Sequence, residues 1–149
     1  MQKGDVLLGF EESGGIGFAG HIPERDGILA GLALLELLAT EKTSVNRLLA
    51  KLERKFGPHS YDRLDMHFPL GKRAKLMSYC AAKPPAKLAG SMVTEVKTFD
   101  GVKYIAANDA WLMLRGSGTE PILRIYAEAR SDADAKKLIR LGISLTKQV

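Results

Sequence analysis

Trp111-Leu112-Met113-Leu114-Arg115-Gly116-Ser117-Gly118-Thr119-Glu120-Pro121-Ile122-Leu123-Arg124-Ile125-Tyr126-Ala127-Glu128-Ala129 reads as strand, loop, strand. Trp111–Leu114 leads in, Ile122–Ala129 leads out, and the seven residues between them hold one fixed cation, two hydroxyls, two glycines and a proline stop. A phosphate dianion suits such a loop. Arginine offers a planar fork of donors, Ser and Thr add O–H groups, and glycines let backbone N–H groups curl around an anion. Pro121 then fixes the exit. The plainer reading is a polar hairpin turn in which Ser117 and Thr119 satisfy their own backbone. Both readings place an antiparallel strand pair here.

The rest of the second half extends this pair into a sheet. Leu64, Met66 and Phe68 alternate as a half-buried strand, and Gly71–Ala82 reads as a helix closed by Pro84-Pro85. Met92–Phe99 and Val102–Ala106 read as strands joined by a hairpin turn at Asp100-Gly101. A last helix opens near Ser131, with Ala133, Leu138, Leu141 and Leu145 available for packing. Four or five strands with a helix at each end make a complete small α+β domain. Its start is expected near Gly57–Ser60, giving divisions at residues 1–57 and 58–149.

The first half differs. Asp5–Phe10 reads as a strand feeding the glycine-rich loop Gly9-Phe10-Glu11-Glu12-Ser13-Gly14-Gly15, and Ile16–Phe18 as a further short strand. Asp26 opens a helix that is apolar almost all round through Ala39. Ser44 caps a second helix with Val45, Leu48, Leu49, Leu52 and Phe56 along one stripe, and Gly57 stops it. So few elements cannot enclose that much apolar surface. The chain is therefore expected to begin partway through a domain.

Composition sets bounds on function. The 149 residues are 46% hydrophobic and 26% charged, as in globular domains. The net charge of +5 is uneven: residues 1–57 hold 7 Lys/Arg and 8 Asp/Glu (−1), and the remainder 15 and 9 (+6). A basic second half attracts nucleic acid or a small phosphorylated ligand. Its cations are dispersed and its aromatics few, which favours the small anion over nucleic acid. The single cysteine, Cys80, excludes an internal disulfide and is expected to be inert on a helix face. Ile28–Ala39 is too short for a membrane span, so no membrane partner is expected and the location is expected to be cytoplasmic.

Other chemistry-bearing residues have structural explanations. His21, His59 and His67 lack the spacing of zinc ligands. Glu11 and Glu12, adjacent in an extended segment, point to opposite faces rather than acting as a pair. Trp111 is expected to fill the core beneath the loop, and Ser13 has no adjacent base to activate it. Asp132-Ala133-Asp134 at a helix start meets the macrodipole.

Taken together, Gly9–Gly15, the run His21-Ile22-Pro23-Glu24-Arg25-Asp26-Gly27 and Arg115–Pro121, in this order, resemble the alpha-D-phosphohexomutases, which include phosphoglucomutase and phosphomannomutase. The resemblance covers essentially the whole chain. It implies the closing part of the family's third, α/β domain followed by a complete fourth domain, with a mainly antiparallel, TATA-box-binding-protein-like sheet flanked by helices. It also implies an enzyme that interconverts hexose 1-phosphate and 6-phosphate through a phosphoserine and a bisphosphorylated sugar, with Mg2+ bound by an Asp-x-Asp-x-Asp loop. By this resemblance Glu11, Ser13 and Arg25 contact the sugar, and Arg115, Ser117, Gly118, Thr119 and Arg124 the phosphate. The partners implied are a hexose phosphate and the remaining domains of the same enzyme.

Two departures qualify the resemblance. Gly15 stands where some relatives carry His, and neither a phosphoserine loop nor the metal loop occurs in the chain. The catalytic residues and metal ligands are thus expected elsewhere in the enzyme, and this chain alone is expected to be inactive. The rival expectations are a free-standing anion- or nucleic-acid-binding module and a phosphosugar sensor without catalysis.

Overall fold

The computed structural model describes residues 6–11 and 14–149, arranged as two compact units, one ending at Leu52 and the other running from Glu53 to Val149. In the first unit, β1 (Leu8–Phe10) and β2 (Ile16–Phe18) form an antiparallel hairpin with Leu8 opposite Phe18 and Phe10 opposite Ile16. Helix α1 (Gly27–Glu41) starts at Asp26, whose Oδ1 accepts the Ile28 and Leu29 amides at 2.9 Å each. Those are orphan donors of a helix start, so the short acid fixes where α1 begins. It ends at Lys42, which turns left-handed (φ 47°).

Helix α2 (Val45–Phe56) follows, with the Ser44 carbonyl accepting the Arg47 and Leu48 amides. Gly57, at φ 85°, closes it by donating to the Glu53 carbonyl at 2.8 Å. No residue of α1 or α2 is buried: Ile28 is 80% exposed, Leu35 63% and Phe56 59%. Their apolar faces are uncovered.

The second unit holds β3 (Ser60–His67), α3 (Leu70–Ala82), β4 (Lys87–Leu88), β5 (Ser91–Lys97), β6 (Val102–Ala106), β7 (Trp111–Gly116), β8 (Ile122–Ala129) and α4 (Asp132–Thr146). The strands form one six-stranded antiparallel sheet in the order β3-β8-β7-β6-β5-β4. The fold is α+β, with six strands where four or five were expected. The added strand, β4, has two residues and carries no periodicity to read.

Alternation sorts the sheet into two faces. Leu112, Leu114, Leu123, Ile125 and Tyr104 are wholly buried against Leu76 and Cys80 of α3 and Leu138 and Ile139 of α4. Gly142 lets α4 lie close on the sheet, because a Cβ there would sit 2.5 Å from Ile125 Cγ2. The Tyr104 hydroxyl, buried in this layer, donates to the Cys80 carbonyl at 2.8 Å, and burial pushes the Cys80 thiol above its ordinary pKa. That thiol is a packing group. The opposite face carries Arg63 and Asp65 of β3, Arg124 of β8, and Met113 and Arg115 of β7, all partly or largely exposed, with Tyr126 of β8 buried among them.

Trp111 lies on this open face, not in the core. It is half-exposed, its ring 6.3 Å from that of Tyr61 and covered by the Lys103 ammonium at 3.8 Å. Position parity decides this: Leu112 and Leu114 take the buried side, so odd positions of β7 point away. Both sheet edges are blunted. β3 exposes Asp62, Arg63 and Asp65 along its length, and β5 carries an irregularity at Val93/Glu95 just past its short pairing with β4.

Candidate functional site

The loop between β7 and β8 starts from a fixed frame. Ser117 N–H donates to the Ile122 carbonyl at 2.9 Å and Glu120 N–H to Ser117 Oγ at 3.3 Å, while Phe68 N–H takes the Pro121 carbonyl at 2.9 Å. The plainer reading of Ser117 therefore holds for one lone pair, yet its O–H hydrogen stays available to a ligand. Gly118 and Thr119 are exposed, and among the described residues neither amide has an intramolecular acceptor. A Cβ on Gly118 would meet open space.

Arg115 projects to the open face, where Asp100 Oδ2 receives its Nε at 2.9 Å. That carboxylate, with a smaller contribution from Tyr126, holds the guanidinium still more firmly protonated. Gluing Nε to Asp100 leaves the two terminal amino groups of the fork to point elsewhere. Asp100 comes from the β5–β6 turn, whose Gly101 has φ 93° and packs so closely on β7 that a Cβ would lie 2.3 Å from the Leu114 carbonyl oxygen.

Arg124 stands directly opposite Arg115 across the ladder, and Asp65 directly opposite Arg124. The Arg124 Nε is buried and faces Asp65 Oδ2 at 3.5 Å, within ion-pair range but without hydrogen-bond alignment. Asp65 is gripped by Arg63, Nε to Oδ1 at 2.7 Å and Nη2 to Oδ2 at 2.8 Å, which holds its carboxyl below the ordinary range. An acid, two cations, an acid and a further cation thus run across the sheet beside the loop. A cleft of about 340 Å³ adjoins it, lined by Asp65, His67, Glu120 and Pro121 among others.

In the first unit, the Glu11 loop closes on itself through Glu11 N–H to Gly15 carbonyl at 2.9 Å and Gly14 N–H to Glu11 carbonyl at 3.0 Å. Arg25 Nη1 reaches Glu11 Oε2 at 2.7 Å, and its amide and Nε reach Glu24 Oε1. Glu11, then Glu24, raise the Arg25 pKa, and the Arg25 amide lowers that of Glu24. Gly15 makes room for this arginine, since a Cβ there would lie 2.5 Å from Arg25 Cδ. A cleft of about 340 Å³ is lined by Gly9, Phe10, Glu11, Gly15, Glu24 and Arg25. Ser13 and Glu12 lie outside the described residues.

His21 and His59 are tied into structure, while His67 is exposed in the lining of the cleft beside the β7–β8 loop. His21 Nε2 meets Asp26 Oδ2 at 2.8 Å and so steadies the α1 cap. His59 contacts Glu128 through Nδ1 at 2.7 Å and Arg130 through Nε2 at 2.8 Å. Asp134 accepts from the Ser131 hydroxyl and pairs with Lys137, and Asp132 accepts from Ser60. Among the described residues, no group of three or more His, Cys, Asp or Glu comes together that could hold a metal ion. The residue pattern does not mark Asp100, Asp65 or Arg73, whose Nη2 donates to the Glu120 carbonyl, as site neighbours. Asp100 carried only a hairpin signal, and the other two carried none.

Residues 1–56 match the family model for the alpha/beta/alpha domain III of phosphoglucomutase/phosphomannomutase, and residues 73–140 match that for the C-terminal domain of the same family. The chain belongs to the phosphoglucomutase/phosphomannomutase family. It is 31% identical over 148 residues to a phosphoglucomutase/phosphomannomutase of Thermococcus kodakarensis, covering 99% of this chain and 30% of that protein. A phosphoglucosamine mutase of Methanocaldococcus jannaschii is 33% identical, with 99% and 31% covered. A phosphoglucosamine/phosphogalactosamine mutase of Sulfurisphaera tokodaii is 34% identical, with 91% and 28% covered. A crystal structure of a family protein from Burkholderia thailandensis superposes with a TM-score of 0.65 at 25% identity, covering 95% of this chain and 29% of that one. The chain thus spans under a third of the length of each.

Proposed function

We propose that this chain supplies the sugar- and phosphate-binding portion of a phosphohexomutase that interconverts hexose 1-phosphate and hexose 6-phosphate. In this reading residues 1–57 recognise the sugar through Glu11, Ser13 and Arg25. Residues 58–149 grip the non-reacting phosphate through Arg115, Ser117, Gly118, Thr119 and Arg124. The observation that carries it is the pair of exposed, unpartnered amides at Gly118 and Thr119, next to a spare Ser117 O–H and the fork of Arg115. Relatives named as mutases of glucose, mannose and glucosamine phosphates support the same substrate class.

The chemistry assigned to these residues is positioning. A phosphoryl group moves through a loose, charge-rich transition state, so holding the rest of the substrate in line accounts for much of the rate. The Glu11 carboxylate accepts two hydroxyl hydrogen bonds and so tolerates a sugar presented from either end. Arg25, bonded to Glu11, holds that carboxylate in place. When bound, Mg2+ would stabilise charge on the transferring phosphoryl group. The described residues here offer it no ligand set. The phosphoserine and its general base are assigned outside this chain, the bisphosphorylated sugar is the expected intermediate, and the 149 residues alone are assigned no turnover.

Arg115→Ala in the longer enzyme should raise the half-saturating hexose phosphate concentration roughly ten- to hundredfold, the worth of a charge-assisted hydrogen-bond pair. Unchanged steady-state kinetics would remove the phosphate assignment. A salt series comparing glucose 6-phosphate with a single-stranded oligonucleotide separates this reading from that of a free-standing nucleic-acid-binding module. Steeply salt-dependent oligonucleotide binding without a sugar-phosphate response would favour a nucleic-acid module.

A further inference from the structure

Arg73 lies in the first turn of α3, and Gly116 ends β7 with its Cα on the helix-facing side of the sheet. A Cβ on Gly116 would lie 2.1 Å from Arg73 Cδ and 2.6 Å from its Nε. The arginine therefore occupies the volume where residue 116 would carry a side chain, directly beneath the loop. Its Nη2 donates to the Glu120 carbonyl at 2.6 Å, at the opposite end of the same loop. One side chain thus spans the loop from entry to exit.

Its charge is the second observation. Of the arginines around the loop, Arg115 faces Asp100, and Arg124 and Arg63 face Asp65. Among the described residues, Arg73 has no carboxylate within ion-pair distance, and α3 has no acid in its first turn. A half-buried guanidinium left without a counter-charge, packed on a loop with outward amides, is matched by an anion arriving from outside. The cations that the residue pattern put forward, Arg115 and Arg124, already face Asp100 and Asp65.

We infer that Arg73 is a positioning residue of the phosphate site: it holds the Gly116–Glu120 loop in its anion-accepting shape and supplies the uncompensated positive charge beneath it. This rests on the phosphate reading of the loop. Gly116 is the companion requirement, because any side chain there would displace the arginine.

The test is NMR titration of the isotope-labelled 149-residue chain with inorganic phosphate and with glucose 6-phosphate, at low and high salt. It follows the amides of Gly116–Thr119 and the Arg73 Nε–H resonance. In the wild type, phosphate should shift the Gly118 and Thr119 amides together with Arg73 Nε–H. Arg73→Gln, which keeps a donor but loses the charge, should bind phosphate roughly five- to twentyfold more weakly and with a flatter salt dependence. Arg73→Lys should recover most of that salt dependence, which a purely structural role would not reproduce. Equal affinity and salt dependence in Arg73→Gln and wild type would overturn the inference. So would a wild-type Arg73 Nε–H that stays fixed at saturation, a measurement that needs no folded variant. Should the wild type itself show no phosphate-induced shift in the loop, the phosphate reading falls and takes this inference with it.

Discussion

Gly101 shows how a residue far from a ligand can govern the group that meets it. Its positive φ, and the Leu114 carbonyl oxygen lying where a Cβ would have to go, exclude a side chain. Asp100 next to it then reaches Arg115. Gly101→Ala should destabilise the second unit by about 1–3 kcal/mol through backbone strain, read as a lower urea midpoint, and should release Arg115 from Asp100. Asp65 gives a pH signature. Its folded pKa is depressed by Arg63, so the stability it contributes is present above the ordinary carboxylate range and is lost as pH falls through the lowered value. Urea midpoints of wild type and Asp65→Asn should differ at neutral pH and converge in acid; parallel curves down to the acid limit would contradict this. Arg115, Ser117 and Thr119 could be picked out from local composition. Arg73 could not, because its bond to Glu120 spans 47 positions and neither partner has an unusual neighbourhood in the chain.

Elements were legible where periodicity ran long enough. The bounds of β2, β6 and β8, and the starts of α1 and α4 at Asp26 and Ser131, follow the pattern read from the residues. β7 runs on to Gly116, two residues past Leu114, because ladder pairing with Leu123 continues after the apolar run stops. β4 escaped notice because two residues define no alternation, and it exists only through Met92 and Ser91 of β5. On α4, Leu138 is buried and Leu141 and Leu145 pack against the core as expected, while Ala133 is exposed and Ala135, Ile139 and Gly142 complete the buried stripe. Local spacing left those positions open, and the close seat at Gly142 sets them. Gly142→Val should cost about 1–3 kcal/mol by overpacking Ile125 and Leu112, measurable as a lower thermal midpoint with unchanged far-ultraviolet dichroism.

At the scale of the whole chain, the two units differ in how they are held together. The buried apolar cluster lies entirely within residues 68–139, while α1 and α2 keep Ile28, Leu35, Leu49 and Phe56 exposed. Apolar surface of that extent marks a face made to be covered. The 149-residue chain should bind a hydrophobic fluorescent dye strongly, and residues 53–149 alone should bind it weakly; equal binding would locate the sticky surface elsewhere. The form that any precipitate takes is set by a different part of the molecule. Charges along β3, and a kinked rim at Val93/Glu95 beside a two-residue end strand, deny an incoming backbone a straight row of amides and carbonyls to continue. Crowded copies would thus clump through greasy helices into disordered aggregates instead of stacking, sheet upon sheet, into fibrils.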